Sequence, residues 1–421
     1  MDEKREAQLL KQAQEAAQGI AFAGKPVSLS RYGSGHINDT YLLVCGTESG
    51  VSCLPQQKAE TRSDDAYADR EDCADRGERA DRAAGGQRRY ILQRMNQSIF
   101  SDPVRLMENI TGVTAFLRKK IIAAGGDPER ETLNVIPAKD GKPYYVDSEG
   151  AYWRGYSFVE DTLSFDRSES AADFYQSALG FGRFQCLLAD YPAEKLHETI
   201  PHFHDTEARY QAFLAAVCAD QMGRAEKAAA EINFVMERAS LAGELLAMQT
   251  AGRLPLRVTH NDTKLNNVLI DAKMKQAVCV IDLDTVMPGL AVNDFGDSIR
   301  FGASTAEEDE QNLDKVSCDM ELFAAYTRGF LEMCGAALTP AEIEALPLGA
   351  KTMTFECGMR FLTDYLQGDT YFRTTRPEQN LDRCRTQFKL VADMEQKWEQ
   401  MQRIVAEEMC KIKVRNCMES K

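Results

Sequence analysis

The sequence predicts an α+β chain in two lobes: a small N-terminal antiparallel sheet lobe with one helix, then a larger, mainly helical C-terminal lobe. Three observations carry this. At 421 residues the chain is longer than one small core organises. Short apolar runs broken by glycine turns fill much of the first 160 residues. From Ser168 onward the apolar spacing is helical almost throughout, the exception being the stretch Val258–Phe301. The lobes are assigned to residues 1–160 and 161–421.

Residues 2–18 read as a polar helix with a thin stripe of Leu9, Leu10, Ala13 and Ala17. Strand-like runs Pro26–Tyr32 and Asn38–Val44 flank Gly33-Ser34-Gly35. That turn is either an ordinary hairpin or, since no Cβ intervenes, a place where backbone N–H groups approach a phosphate. Residues 47–88 recycle Ala, Asp, Arg and Glu with few large apolar side chains. Such a segment cannot bury enough surface to offset its ordering entropy, so a disordered insertion is expected there. The string RRYILQRMN resumes as a strand, followed by a helix from about Asp102 to Ala124 that starts on Ser101-Asp102-Pro103. Three short strands follow, Leu133–Pro137, Pro143–Asp147 and Tyr152–Val159, joined by turns at Asp140-Gly141 and Glu149-Gly150. Val159-Glu160-Asp161 is the expected hinge. Helical runs are expected over 170–190, 206–220, 224–250, 308–334, 340–366 and 378–412.

Composition excludes several classes of function. A formal net charge of −15 argues against nucleic acid or an anionic membrane as the main partner. Hydrophobic residues make up 44% of the chain, enough for a globular interior, yet no apolar run approaches bilayer length. The N-terminal MDEKREAQLLKQ lacks a signal-peptide core, so a cytoplasmic location is expected. None of the 12 cysteines forms a C-x-x-C pair; Cys186, Cys218, Cys279 and Cys357 lie in apolar patterns and read as buried free thiols. His197, His202 and His204 cluster without cysteines at ligand spacing, which favours loop or cap histidines over zinc. No feature fixes an oligomeric state.

The chemistry gathers in Val258–Phe301. Two strand-like runs, Asn267–Ile270 and Ala277–Ile281, are separated by the polar turn Asp271–Gln276 and read as a β-hairpin. The antiparallel return sets Asn267 roughly opposite Asp282, and Asp262 lies on the loop feeding the hairpin. A carboxylate, an amide oxygen and a second carboxylate therefore converge. Phosphoryl transfer asks for this set: an acid to position a hydroxyl nucleophile, and hard oxygen ligands for Mg²⁺ on nucleotide phosphates.

A five-strand sheet with one helix, a hinge, and a helical lobe opening on H-x-D-x-x-x-x-N is the layout of a protein-kinase-like bilobal fold. His260-Asn261-Asp262 through Asn267, then Ile281-Asp282-Leu283-Asp284, resembles the aminoglycoside phosphotransferase and choline kinase superfamily. The strings GSGHINDTY, YILQRMN, THNDTKLNNVL, VIDLDTVMPG and DFGDSIRFGA resemble one branch of it, the N-acetylhexosamine 1-kinases. The resemblance covers almost the whole chain outside 47–88. It implies an ATP- and Mg²⁺-dependent kinase that phosphorylates the anomeric hydroxyl of N-acetylglucosamine or N-acetylgalactosamine.

Carried over residue by residue, the resemblance makes Asp262 the catalytic base and Asn267 and Asp282 the Mg²⁺ ligands. Asp284, on the same face of the strand end as Asp282, would hold a second Mg²⁺ or a sugar hydroxyl, or serve structure alone. Gly33, Ser34 and Gly35 would cover the nucleotide phosphates. The strand lysine of such folds is missing: register puts Gln93 in its place, and Arg94, partnered by Glu108, is the substitute cation. His36, Arg360 and Tyr371, with Asp262, would bind the sugar, although Arg360 also reads as a routine helix pair with Glu356 and Tyr371 as core. Asp294-Phe295-Gly296 spells the protein-kinase metal motif but lies well past the hairpin end. Asp297 and Arg300 read instead as a loop brace and its i,i+3 partner. Two rivals remain: a kinase for another small alcohol or amino sugar, and a non-catalytic kinase-like binding module.

Overall fold

The structure, a computed structural model, describes residues 3–33, 37–46, 86–168 and 170–419. The expected insertion thus falls, apart from its last residues, outside the described residues, as do Ser34, Gly35 and His36. The chain forms two compact units, one of residues 1–96 with 135–158 and one of 97–134 with 159–421.

The first unit opens with α1 (Glu3–Gly19), followed by β1 (Lys25–Arg31), β2 (Asp39–Gly46) and β3 (Gln87–Arg94). β4 (Val135–Ile136), β5 (Tyr145–Val146) and β6 (Tyr152–Ser157) complete a sheet in the order β1-β2-β3-β6-β4, with β5 also on β6. All pairs are antiparallel, and the six strands match the six strand-like runs of the sequence, one more than the five-strand layout counted from them. Gln87 and Arg88, counted with the insertion, open β3 opposite Gly46 and Cys45. The helix that covers this sheet is α1. Its apolar stripe, Ala13, Ala16, Ala17 and Ile20, shares one core with Tyr41, Leu43, Leu92 and Trp153.

The second unit begins with α2 (Pro103–Ala123), capped by the Asp102 carboxylate accepting from the Arg105 backbone, and the short α3 (Pro128–Glu131). The 1–160 boundary therefore differs from the compact units, because α2 packs with the helical part. Buried Asn109 on α2 donates to the carbonyls of His197 and Val286, at 2.8 and 3.0 Å, and accepts from His197 N. β7 (Thr162–Leu163) is followed by α4 (Ala171–Leu187), α5 (Thr206–Ala219), α6 (Ala229–Glu237) and α7 (Leu241–Thr250). Next come β8 (Arg257–Thr259), β9 (Val268–Asp271), β10 (Ala277–Val280) and β11 (Met287–Gly289). The unit ends with α8 (Ala291–Gly302), α9 (Met320–Cys334), α10 (Pro340–Glu344), α11 (Leu346–Gln367), α12 (Gln379–Gln396) and α13 (Trp398–Glu419). Two expected runs are shorter than the pattern suggested. The run over 224–250 is split into α6 and α7, and 308–319 is irregular apart from a 3₁₀ turn at Leu313–Lys315.

The β9–β10 hairpin forms as expected and gains β7 as a third strand, while β8 and β11 make a separate antiparallel pair. A core of Phe174, Phe295, Phe323, Tyr326 and Phe330 fixes α4, α8 and α9 together. A second, with Phe213, Phe355, Phe361 and Phe388, joins α5, α11 and α12. Each such aromatic removes about 1.5–3 kcal/mol worth of apolar surface from water. Among the described cysteines all are free; Cys279 and Cys357 are buried, whereas Cys186 and Cys218 are exposed. Helical position had suggested burial, but both lie on the outer side of their helices. No helix among the described residues is long and apolar enough to cross a membrane.

Candidate active site

The loop between β8 and β9 carries Asp262. β8 is held against β11, with Thr259 opposite Met287, and the loop closes through a 3₁₀ turn at Leu265–Asn267. His260 ties the loop to the end of the hairpin. Its Nε2 donates to the Ile281 carbonyl at 2.9 Å, and its Nδ1 accepts from the Asp262 backbone N–H at 3.3 Å. That pair of bonds requires the neutral ring with the proton on Nε2. The ring is fully buried, edge-on to Phe181 and Phe184. His260 is thus a support that ties the loop to the hairpin end.

Asp262 is fixed by two neighbours. The Asn267 amide nitrogen donates to its carbonyl oxygen at 2.8 Å and to its Oδ2 at 3.2 Å. Lys264 Nζ sits 2.8 Å from Oδ1. Lys264 was not picked out in the sequence; lying two residues after Asp262 in a loop held by its backbone, it was within reach. The Asp262 charge, supported by Asp297, holds the Lys264 ammonium well above the usual lysine range against the opposing effect of burial. A quarter of the Asp262 side chain stays exposed, so the carboxylate is positioned yet open to a ligand.

Asn267 accepts from Ile281 N at 2.9 Å, and Val268 pairs with Val280, which brings Asn267 beside the residue preceding Asp282. Asp282 adopts left-handed backbone (φ 58°), as does Asn261 (φ 64°), a conformation Asn and Asp tolerate through local side-chain bonding. The strand has already ended at Val280, and residues 283–285 form a 3₁₀ turn. The period-two reasoning that put Asp282 and Asp284 on one face therefore lapses. Asp282 is exposed, while Asp284 is buried at 3%.

Beneath the loop, the Asp-Phe-Gly tripeptide is structural in all three residues. The Asp294 carboxylate accepts from the backbone N–H groups of His260 and Asn261, at 2.9 and 2.8 Å, and from Gln185. Burial pushes its pKa up, against the hydrogen bonds it accepts from the loop and Gln185. Phe295 packs into the aromatic core. Gly296 meets the backbone of Gly349 on α11 so closely that an added Cβ would lie 2.3 Å from the Gly349 carbonyl oxygen. Asp297 accepts from Thr263 N at 2.9 Å and is held by Arg300 in turn, so it braces the loop as expected. Burial alone would raise the Asp297 pKa; Arg300, His204 and Lys264 together hold it below the ordinary range.

On the other side of the loop, His204 Nε2 donates to the Asn261 carbonyl at 3.0 Å while its Nδ1 bonds Glu356 at 2.9 Å. Thr206 takes the second Glu356 oxygen at 2.6 Å. Burial lowers the His204 pKa, but the Glu356 charge and hydrogen bond outweigh it and leave the imidazole raised. Glu356 thus serves His204 and Thr206, not an ion pair with Arg360. Arg360 lies over the rings of Phe203, Tyr371 and Phe372, at 5.5, 5.9 and 5.5 Å from their centroids. Tyr371 is 60% exposed, hence not core, and its loop is pinned by Asp364, which accepts from the backbone of Thr370, Tyr371 and Phe372. A cavity of about 360 Å³ adjoins this side, lined by Phe203, His204, Asn261, Gly289 and Asn293 among others, and does not include Asp262.

The remaining sequence-predicted residues belong to the first unit. Gly33 has φ 73°, which suits a turn only glycine makes freely. Arg94 pairs with Asp39 at 3.4 Å, and Glu108, in the second unit, pairs with His197 at 2.7 Å, so each is engaged within its own unit. Gln93, at the missing lysine's register, accepts from Arg154 Nε and Nη2 at 3.0 and 2.9 Å. Arg154 faces Gln93 across β3 and β6 and is 1% exposed, a buried cation that strand patterning alone did not reveal.

The residues present fit a magnesium ion at the hairpin end. The Asn267 amide nitrogen is spent on Asp262, leaving its oxygen as the donor for a cation, and Asp282 offers an exposed carboxylate. Among the described residues no three His, Cys, Asp or Glu side chains converge to hold a metal, so phosphate and water oxygens would complete the shell.

Solved structures share this architecture. An aminoglycoside phosphotransferase from Alicyclobacillus acidocaldarius subsp. acidocaldarius DSM 446 superposes with a TM-score of 0.52 at 13% identity, over 95% of this chain and 96% of that one. A microcompartment-associated aminopropanol kinase gives 0.50 at 16% identity, over 93% and 98%. The α+β, kinase-like fold predicted from the sequence is therefore the one observed. The family model described as the phosphotransferase enzyme family (APH) matches residues 28–329, and the chain belongs to that family. It is a transferase of kinase type. The match ends within α9, so Arg360 and Tyr371 lie beyond it.

Proposed function

We propose that the protein is an ATP- and Mg²⁺-dependent kinase that phosphorylates the anomeric hydroxyl of an N-acetylhexosamine, giving the sugar 1-phosphate. The observation that carries the chemistry is the Asp262 carboxylate, held by Asn267 and Lys264 yet partly open. In this reading Asp262 accepts a hydrogen bond from the C1 hydroxyl and takes its proton as the oxygen bonds to the γ-phosphorus and the bond to ADP breaks. An anomeric hydroxyl is more acidic than an ordinary alcohol, which eases its deprotonation by a carboxylate. Lys264 keeps Asp262 in place and adds positive charge beside the transferring group. Asn267 and Asp282 would hold Mg²⁺, which neutralises phosphate charge when bound; a second ion or a sugar hydroxyl is assigned to Asp284. Gly33, Ser34, Gly35 and Arg94 are the proposed nucleotide contacts. His36, Asp262, Arg360 and Tyr371 are the proposed sugar contacts.

The sugar assignment rests on the resemblance of the five strings and on Arg360 and Tyr371 standing together on one ordered loop and helix. ADP release measured against N-acetylglucosamine, N-acetylgalactosamine, choline, homoserine and aminoglycosides tests it, with NMR of the product to place phosphate on C1. Turnover restricted to non-sugar alcohols would sink the substrate assignment and leave a kinase for another small alcohol.

A further inference from the structure

Phe203 is shared by two guanidinium groups. Arg360 lies over its ring, and Arg209, in the first turn of α5, donates from Nη2 to its carbonyl at 3.1 Å. The Nε of Arg209 is buried without a hydrogen-bond partner. Among the described residues neither guanidinium lies within ion-pair distance of a carboxylate. Of the two acids four residues from Arg360, Glu356 has both oxygens taken by His204 and Thr206, and Asp364 has both taken by the backbone of residues 370–372 and by Asn380. Asp205 spends one oxygen capping α5 and the other on His202.

Elsewhere in this unit buried arginines are answered by acids: Arg300 by Asp297 and Glu308, Arg257 by Glu342. The Arg209–Arg360 pair breaks that pattern. Burial, then the Arg360 charge, pulls the Arg209 guanidinium below its ordinary range, so the two cations oppose one another in the free protein. A guanidinium carries five donors and no acceptor. An unanswered pair of them beside aromatic faces suits a ligand rich in oxygen acceptors and repels one that brings an ammonium.

We propose that Arg209 and Arg360 together form an acceptor-selecting end of the site, admitting uncharged or anionic hydroxyl compounds and excluding amines, with Arg209 a specificity-determining residue. This rests on the assignment of Arg360 to the acceptor. It adds a second guanidinium and a rule of exclusion. The selection is by charge, so it acts on affinity for the acceptor more than on the transfer step.

The test compares acceptors that differ at one group: N-acetylglucosamine against glucosamine, and N-acetylgalactosamine against galactosamine. kcat/KM is measured for wild type, Arg209→Met and Arg209→Lys, with a thermal melt of each. Wild type is expected to prefer the acetamido sugar, and Arg209→Met to shrink that preference by about tenfold or more, chiefly through a lower KM for the amine. Arg209→Lys keeps the charge and should keep the preference. An unchanged ratio in Arg209→Met overturns the inference, as does a wild-type preference for the amine. If Arg209→Met melts far below wild type, Arg209→Gln is read in its place. Should no hexosamine react while another uncharged or anionic alcohol does, the hexosamine reading falls, and the same ratio against that alcohol's amino counterpart decides the inference. Turnover of cationic acceptors alone, or of none, overturns it.

Discussion

The two sides of the loop at Asp262 are built on opposite plans. On the side of α8, nearly every polar group is answered by another: Asp294 and Asp297 together take the backbone N–H groups of His260, Asn261 and Thr263, and Ser298 donates to the Thr263 carbonyl. On the side of α11, Arg360 and Arg209 face aromatic rings and one carbonyl, and Tyr371 is largely exposed. The first plan is one of rigidity, since a buried network that satisfies every member holds a single geometry. The second leaves hydrogen-bonding capacity unspent, which is what a site for a varied small molecule needs. On the reading proposed above, the completed side would fix the reaction and the unfinished side would choose the acceptor.

The largest expected effect lies between the two. Asp262→Asn keeps the shape and the Asn267 contact but removes the proposed base, so kcat should fall by about 10²–10⁴-fold. Because the side chain is part-exposed, the melting temperature should stay close to wild type. Steady-state kinetics and a thermal melt check this together; retained turnover would take Asp262 out of the base role and dissolve the contrast at its centre.

The rigid side is next. Asp294→Ala strands the His260 and Asn261 N–H groups and the Gln185 amide in a buried site, at about 1–3 kcal/mol for each unpaired group. Denaturant unfolding should show a loss of several such increments, with kcat falling as the loop loosens. Gly296→Ala attacks the same region by overpacking against Gly349, at about 1–3 kcal/mol. If Asp294→Ala abolished turnover with no loss of stability, Asp294 would be acting on the reaction directly rather than bracing it.

The His204–Glu356 pair joins the sides and makes the comparison depend on pH. The imidazole pKa is raised in the fold, so its contribution is complete below the unfolded value of 6.5 and is lost as pH climbs through the folded value. For Glu356, burial acts upward but His204 and Arg360 lead the effects that lower its pKa below 4.5, so its contribution is present above 4.5 and lost as pH falls through the folded value. The stability that wild type holds over Glu356→Gln should therefore be greatest between about pH 4.5 and 6.5 and shrink on the alkaline side. Denaturation curves from pH 5 to 9 measure that difference; a gap that stays constant across the range would mean that His204 is neutral and the pair carries no charge.

These differences also separate what was legible in the sequence from what was not. The hairpin, the 102–124 helix and the sheet strands were read from spacing, because period two and period 3.6 follow directly from backbone geometry. The approach of Asp262, Asn267 and the end of β10 was legible for the same reason: a short antiparallel return fixes it. The placing of Asp284 on one face with Asp282 failed because the left-handed turn at Asp282 ends the alternation, and nothing local marks that turn in advance. Arg154 and Arg209 went unseen because their surroundings arise from contacts between distant segments, Arg154 with Gln93 across two strands and Arg209 with Phe203 beside Arg360 of α11, whereas Lys264, two residues from Asp262, was within reach of the sequence. α2 belongs to the helical unit, and one of its ties there, the buried amide of Asn109, has partners 88 and 177 residues away that no local pattern reveals.

The smallest effect is expected on the open side. Arg360→Leu removes a guanidinium that no carboxylate answers among the described residues, so little stability should be lost. If Arg360 contacts the acceptor as proposed, contacts made equally in ground and transition states are lost, so KM for the acceptor should rise about tenfold with kcat little changed. KM for ATP should hold. A fall in kcat at constant KM would place Arg360 in the transfer step itself, and then the division between a completed catalytic side and an unfinished selecting side would have to be redrawn along α11.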